Sequence, residues 1–104
     1  MKNMIEVDDN NFDEFIKEGT SLLKIGSEWC GPCKTIAPIV ESISTEYSNA
    51  KFGMMDADSS PQTMQKLQVR NIPTILIYKN GFVVDKHVGM ATKAQLKGLI
   101  DKHV

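Results

Sequence analysis

Two cysteines, Cys30 and Cys33, are separated by two residues and are the only cysteines of the chain. Two thiols at this spacing can close a small disulfide and exchange it with a disulfide of another molecule. An apolar run typical of a strand precedes them and a helical pattern follows. Cys30 would then lie near a helix N-terminus, whose unpaired N–H groups and dipole give a sulfur thiolate character. The pair therefore predicts nucleophilic sulfur chemistry.

The same two cysteines could instead be buried and inert, or form half of a zinc site. A structural zinc is normally held by four ligands. The chain adds only His87 and His103, which do not have the spacing of a zinc knuckle. We therefore predict a redox pair and no metal, and we expect both histidines to be ordinary surface residues.

The composition is that of an ordinary globular protein, with 41% hydrophobic and 24% charged residues. A formal net charge of -1 provides no overall attraction to nucleic acid or to an anionic membrane. No apolar run approaches the length of a bilayer, and the opening residues Met1 to Glu6 do not resemble a signal peptide. We expect a cytoplasmic protein with a single domain over residues 1–104. The cytoplasm is a reducing environment, which favours a redox or metal-binding role for the cysteines over a permanent structural disulfide.

The hydrophobic periodicity predicts nine elements in the order βαβαβαββα. Strands are predicted at 4–7, 21–27, 51–56, 74–79 and 82–88. Helices are predicted from the capping cluster at 8–11 to Gly19, at about 33–47, through Met64 and Leu67 after a cap at 58–62, and from Thr92 through Ile100. Asn80-Gly81 is a strong hairpin signal, and Thr92 with Gln95 fits a capping box. Met54, Met55 and Met64 are expected to fill the core. The order predicts an α/β fold with a mostly parallel, mixed five-stranded sheet, helices on both faces and the hairpin as an antiparallel edge.

The run Trp29-Cys30-Gly31-Pro32-Cys33-Lys34, at the predicted junction of a strand and a helix, resembles the active-site motif of the thioredoxin family. The similarity extends over essentially the whole chain. It includes a proline that interrupts the following helix, a segment in which thioredoxins carry a cis-proline facing the cysteines, a hairpin turn, and a small residue beside the active site: Pro38, Ile72-Pro73-Thr74, Asn80-Gly81 and Gly89. The resemblance implies the thioredoxin fold.

The resemblance also implies a thiol-disulfide oxidoreductase that reduces protein disulfides. Cys30 would attack and be partly exposed, whereas Cys33 would be shielded and would resolve the mixed disulfide. Gly31-Pro32 between them is typical of reductases rather than strong oxidants. No bound cofactor is implied besides the reversible Cys30–Cys33 disulfide. Electrons would come from a separate thioredoxin reductase, and the protein would act as a monomer on disulfide-containing proteins.

A contact surface for substrate is expected from Trp29, Ile72, Pro73 and Gly89. Trp29 could also be a simple core residue, and Pro73 a proline at the start of a strand. By resemblance we favour a cis-proline that leaves the backbone of Ile72 free to pair with an extended substrate peptide. Recognition through the backbone predicts a broad range of protein substrates.

Three residues depart from the family pattern beneath the cysteines. Thioredoxins usually carry a buried aspartate where this chain has Lys24, its lysine partner where it has Met54, and a tryptophan where it has Gly26. Lys24 could act as a neutral base, pair with Asp56, or extend to solvent through the space left by Gly26. We hypothesise that Cys33 keeps its resolving role with altered proton transfer.

The same departures motivate an alternative function. Thioredoxin-like proteins can serve as binding or adaptor subunits, in which the fold matters more than thiol turnover. This alternative predicts a folded protein without thiol-dependent activity.

Overall fold

A computed structural model describes residues 4–104. Residues 1–3, which contributed to the expectation about a signal peptide, lie outside the described part. The element order βαβαβαββα is confirmed, with five strands and four helices: β1 (Met4–Val7), α1 (Phe12–Ile16), β2 (Thr20–Gly26), α2 (Gly31–Ser44), β3 (Ala50–Asp56), α3 (Pro61–Leu67), β4 (Thr74–Lys79), β5 (Phe82–Val88) and α4 (Lys93–Asp101). A single 3-10 turn, Ala57–Ser59, joins β3 to α3. None of the helices in residues 4–104 is long and apolar enough to cross a membrane.

The five strands form one sheet in the order β1-β3-β2-β4-β5. β3 is parallel to both of its neighbours, β1 and β2, whereas β4 is antiparallel to both β2 and β5. The mixed five-stranded sheet is therefore confirmed. The expectation that it would be mostly parallel is wrong, because two of its four strand pairs are antiparallel.

The short helix α3 explains the antiparallel pairing. β3 ends at Asp56, opposite Gly26 of β2, and β4 begins at Thr74, opposite Ile25. A helix of seven residues spans only about 10 Å, so the chain does not return to the far end of the sheet before β4. The segment before β4 is consequently held beside the start of α2, where the cysteines lie.

Helices cover both faces of the sheet, as predicted for this α/β fold. The alternating side chains of each strand divide between two cores. One core packs against α2 and α4 and includes Leu22, Phe52, Ile36, Val40, Leu96 and Ile100. The other packs against α1 and α3 and includes Leu23, Ile25, Phe12, Phe15 and Met55. Both cores fix β2 in the centre of the sheet and so fix the position of the loop that follows it.

Helix α2 is displaced towards the N-terminus relative to the prediction. It begins at Gly31 and ends at Ser44, before Tyr47, whose hydroxyl instead donates a hydrogen bond to Asp101 at 2.6 Å. The helix continues through Pro38. The earlier start places Cys30 directly at the N-cap position, which decides the environment of its sulfur.

Candidate active site

Cys30 and Cys33 form a disulfide, with their Cα atoms 5.3 Å apart. Cys30 is the N-cap of α2, and its backbone is extended, with φ -94 and ψ 111. The backbone N–H of Cys33 donates to Sγ of Cys30 at 3.2 Å. The first N–H groups of a helix have no partner within the helix, so the sulfur of Cys30 occupies the position of an N-cap acceptor. The predicted placement of Cys30 before the first turn and Cys33 inside it is confirmed.

The two cysteines differ little in exposure, at 6% for Cys30 and 3% for Cys33. The shielding of Cys33 is confirmed, whereas the expectation that Cys30 would be partly exposed is wrong in this disulfide state. The reason is that Sγ of Cys30 lies between the first turn of α2 and the carbonyl oxygen of Ile72, at 3.9 Å. Gly31 and Pro32, both exposed, form the outer surface of the disulfide loop.

Three of the residues expected to bind substrate lie together beside Cys30. The Ile72–Pro73 peptide bond is cis, as predicted. The carbonyl oxygen of Pro73 accepts the N–H of Gly89 at 2.8 Å. Gly89 has φ +91, a left-handed conformation that favours glycine. The start of β4 and the end of β5 are thereby joined next to the disulfide.

Trp29 is 71% exposed, so the alternative that it is a core residue is wrong. Its indole N–H donates to Oδ2 of Asp58 at 2.7 Å, and the N–H of Asp58 donates to Oδ1 of Asp56 at 2.9 Å. The sequence pattern identifies Asp58 only as part of a capping segment and not as a site residue. Its position in the sequence could have indicated this contact. Asp58 follows β3 and Trp29 follows β2, and the ends of these two parallel neighbouring strands lie side by side.

Gly26 brings β2 into contact with Cys33. A Cβ placed on Gly26 would lie 3.0 Å from both Cβ and Sγ of Cys33, with no other atom among its close contacts. Beside this contact a cavity of about 370 Å³ opens between the sheet and α2. Lys24, Ala37 and Met54 are among the residues that line it. Met54 is half-buried and belongs to neither core, so the expectation that it fills the core is wrong.

Lys24 lies in β2, directly between Met54 of β3 and Ile75 of β4. Its side chain is half-buried, and burial lowers the pKa of its ammonium group from 10.5, while the negative charge of Glu41 partly opposes the decrease. Within residues 4–104 Lys24 forms no ion pair with Asp56. The pairing alternative is therefore wrong, and Lys24 lines the cavity beneath Cys33.

The two histidines lie outside this site. Nε2 of His103 is 3.1 Å from Oδ2 of Asp85, and this hydrogen bond holds the pKa of Asp85 below its usual range. His103 is therefore not an ordinary surface residue. Nε2 of His87 is 2.8 Å from the carbonyl oxygen of Met90. Residues 4–104 contain no group of three or more His, Cys, Asp or Glu placed to hold a metal ion.

Comparisons with known proteins agree with this geometry. The family model described as Thioredoxin matches residues 3–102. A thioredoxin of Staphylococcus haemolyticus is 41% identical over 102 residues, covering 97% of this chain and 98% of that protein. A thioredoxin of Staphylococcus aureus is 38% identical, with the same coverage of both chains. The solved structure of thioredoxin from Malassezia sympodialis has a TM-score of 0.89 and 27% identity, covering 99% of this chain and 92% of that one. The similarity includes both the sheet and the cysteine loop.

Proposed function

Since the chain belongs to the thioredoxin family and is a thiol-disulfide oxidoreductase, we propose that it reduces protein disulfides with Cys30 as nucleophile and Cys33 as resolving thiol. The observation that carries this assignment is the hydrogen bond from the N–H of Cys33 to Sγ of Cys30. A donor at a helix N-terminus stabilises negative charge on the sulfur that it contacts. Cys30 receives this stabilisation, and so it is the better thiolate of the two.

The reaction proceeds in two exchange steps. The thiolate of Cys30 attacks one sulfur of the substrate disulfide, and the other substrate sulfur leaves as a thiolate that takes up a proton. Cys33 then loses its proton and attacks Sγ of Cys30, so that the bond between Cys30 and the substrate breaks. The substrate gains two electrons and two protons, and the protein is left with the Cys30–Cys33 disulfide, the state that the structure describes.

We assign substrate binding to the surface that surrounds Cys30. Within residues 4–104 the backbone N–H of Ile72 donates no hydrogen bond, and its carbonyl oxygen accepts none from a backbone N–H but lies 3.9 Å from the sulfur of Cys30. Backbone groups left unpaired in this way can bind an extended peptide as an added strand. Pro73 and Gly89 hold this segment in place, and the exposed ring of Trp29 adds an apolar contact. Such a site reads the backbone of its substrate and accepts many sequences.

We propose that a separate thioredoxin reductase returns electrons to the Cys30–Cys33 disulfide and that no further cofactor is bound. We also propose that the protein acts as a monomer in the cytoplasm. A dithiol of this type works as a reductant only where a reducing supply keeps it reduced.

An insulin-reduction assay with dithiothreitol as electron donor tests the proposed function. The protein should accelerate precipitation of the insulin B chain over dithiothreitol alone, and Cys30→Ser should abolish the acceleration. The variant Thr35→Ala, on the exposed side of α2, is the matched control and should retain full activity. A folded protein without thiol-dependent turnover would contradict the proposal and favour the adaptor alternative.

A further inference from the structure

A lysine, Lys24, lines the cavity beneath Cys33. Lys24 makes no hydrogen bond and no ion pair within residues 4–104, although its side chain is half-buried. The residue directly beside it in β3, Met54, carries no charge. Asp56, two residues further along β3, directs Oδ1 to the backbone N–H of Asp58 at 2.9 Å. The ammonium group is therefore partly removed from water, and no ion pair within the described chain compensates for the lost hydration.

The geometry of β2 places the backbone of Lys24 close to the resolving sulfur. Lys24 and Gly26 are two residues apart in one strand, so their Cα atoms are about 7 Å apart and their side-chain positions share a face of the sheet. Gly26 is in contact with Cys33, and Lys24, Gly26 and Cys33 line the same cavity. Gly26 has no side chain that could separate Lys24 from the sulfur.

Helix α2 forms the opposite wall of the cavity. Cys33, Ala37 and Glu41 recur at intervals of four residues, so they form one stripe along the helix. Glu41, at one end of the stripe, is the residue whose charge acts on Lys24 in the disulfide state. Cys33, at the other end, is uncharged in the disulfide and becomes a second anion only when it ionises. Lys24 thus lies beside a helix with two acidic groups: the carboxylate of Glu41, which is charged throughout, and the thiol of Cys33, which becomes charged only during the reaction.

The other charged groups around the cavity do not neutralise Lys24. Five further charged residues line the cavity, and they come from β1, the turn after β1, the loop before α2, the first turn of α2 and β3. In that order they are Glu6, Asp8, Glu28, Lys34 and Asp56. None of them forms a hydrogen bond or ion pair with Lys24 in the described chain. The pKa of Lys24 falls from 10.5, and the side chain keeps part of its contact with solvent. Because the side chain keeps part of its contact with solvent, water can hydrate the ammonium group and favour its charged form.

We propose that Lys24 stabilises the thiolate of Cys33 while that thiolate resolves the mixed disulfide. The inference rests on the proposed function, because it concerns the second exchange step. Cys33 releases its proton to solvent, its electron pair forms the bond to Sγ of Cys30, and the substrate sulfur leaves with the electrons of the broken bond. A nearby opposite charge favours the ionised form of an acid, and more strongly where water is partly excluded. Lys24 acts through its charge and accepts no proton.

The Cys30→Ser variant provides the test, because Cys33 is then the only thiol of the chain. Absorbance at 240 nm reports the thiolate as a function of pH and needs no access of a reagent to the buried sulfur. Adding Lys24→Met should move the midpoint of this titration to higher pH by about one unit or more. Lys24→Gln should produce the same change, and Lys24→Arg should leave the midpoint in place. Lys34→Met, which removes an exposed lysine from the same cavity, is the matched control and should have a smaller effect.

An unchanged midpoint in folded Lys24→Met and Lys24→Gln proteins would overturn the inference. The measurement requires no turnover, so its outcome is independent of the insulin assay. If the protein reduces insulin but the midpoint does not move, only the role of Lys24 is wrong. If the midpoint moves but insulin is not reduced, the proposed function fails and the electrostatic role of Lys24 stands. In single turnover with both cysteines present, the pH profile of substrate release should shift in the same direction as the midpoint.

Discussion

Gly26 of β2 packs directly against Cys33 of α2, and a Cβ at position 26 would approach both Cβ and Sγ of Cys33 to 3.0 Å. That separation is shorter than an ordinary van der Waals contact between two carbon atoms or between carbon and sulfur. Because the disulfide joins Cys33 to Cys30, the first turn of α2 cannot simply move away from the sheet. The contact therefore couples the central strand β2 to the disulfide.

Replacing Gly26 with alanine tests this packing. We expect Gly26→Ala to lower the free energy of unfolding of the oxidised protein by about 1–3 kcal/mol, the usual cost of overpacking. The loss should be smaller in the reduced protein, where the side chain of Cys33 is free to rotate. Urea unfolding followed by circular dichroism measures both values. Gly98→Ala is the control, because its Cβ would meet no atom within 4 Å and should stabilise α4 by about 0.5–1 kcal/mol. A fully stable Gly26→Ala protein would contradict the packing.

The hydrogen bond between Trp29 and Asp58 orders an otherwise exposed ring. Asp58→Ala should release the indole and lower its fluorescence anisotropy, which is readily measured because Trp29 is the only tryptophan of the chain. Because both side chains are exposed, the free energy of unfolding should change by less than about 0.5 kcal/mol. If Trp29 contacts substrate, the KM for insulin should rise about 2- to 10-fold, since a mobile ring must be ordered on binding.

Asp58→Asn is the control for that experiment, because its amide oxygen can still accept the indole proton. It should retain both the anisotropy and the KM of the original protein. An Asp58→Ala protein with unchanged anisotropy would show that the hydrogen bond does not order the ring.

A pH-dependent ion-pair cluster joins the end of α2 to α4. Glu46 contacts Lys93 and Lys97, each at 2.7 Å, and hydrogen bonds from these two lysines lower the pKa of Glu46 from 4.5 to about 2. A carboxylate whose pKa is depressed on folding stabilises the protein above its unfolded pKa and loses this contribution as the pH falls. We therefore expect the urea midpoint of the original protein to exceed that of Glu46→Gln at neutral pH.

The difference should shrink as the pH falls from 4.5 to about 2, and added salt should reduce it at neutral pH because the groups are exposed. Thr35→Ala, which leaves the cluster intact, should show no such pH-dependent difference from the original protein. A difference between the original protein and Glu46→Gln that stays constant over this range would mean that the lysines do not stabilise the ionised carboxylate.

Local patterns in the sequence predicted most of the fold. The turn at Asn80-Gly81 and the capping box of Thr92 and Gln95 involve neighbouring residues, and both are present. The direction of β4 was not predictable in this way. It depends on the end of the sheet at which the chain emerges after the short helix α3. Local patterns also missed the cap of α3, where Ser60 forms no capping hydrogen bond. Asp9 accepts the N–H of Thr63 instead, at 2.8 Å and from a distant part of the sequence.

In the candidate site, too, features set by neighbouring residues were predictable and features set by tertiary structure were not. Cys30, Cys33 and Pro73 were identified by the motif and by resemblance, and their positions relative to α2 and β4 agree with the prediction. The burial of Cys30 depends on the carbonyl group of Ile72, which reaches the sulfur only through tertiary structure. The environment of Lys24 is likewise produced by three separate strands and a helix. Sequence alone left its alternatives open, and the structure removed the pairing with Asp56.

The most direct measurement of the central claim is the site of covalent capture of a protein disulfide. Reduced Cys33→Ser and Cys30→Ser proteins are incubated with insulin, and the mixed disulfide is located by mass spectrometry of non-reduced peptides. The assigned roles predict a stable adduct on Cys30 in Cys33→Ser, because no resolving thiol is present, and little adduct in Cys30→Ser. Adduct formation at Cys33 in Cys30→Ser at an equal or higher rate would contradict the assignment of Cys30 as nucleophile.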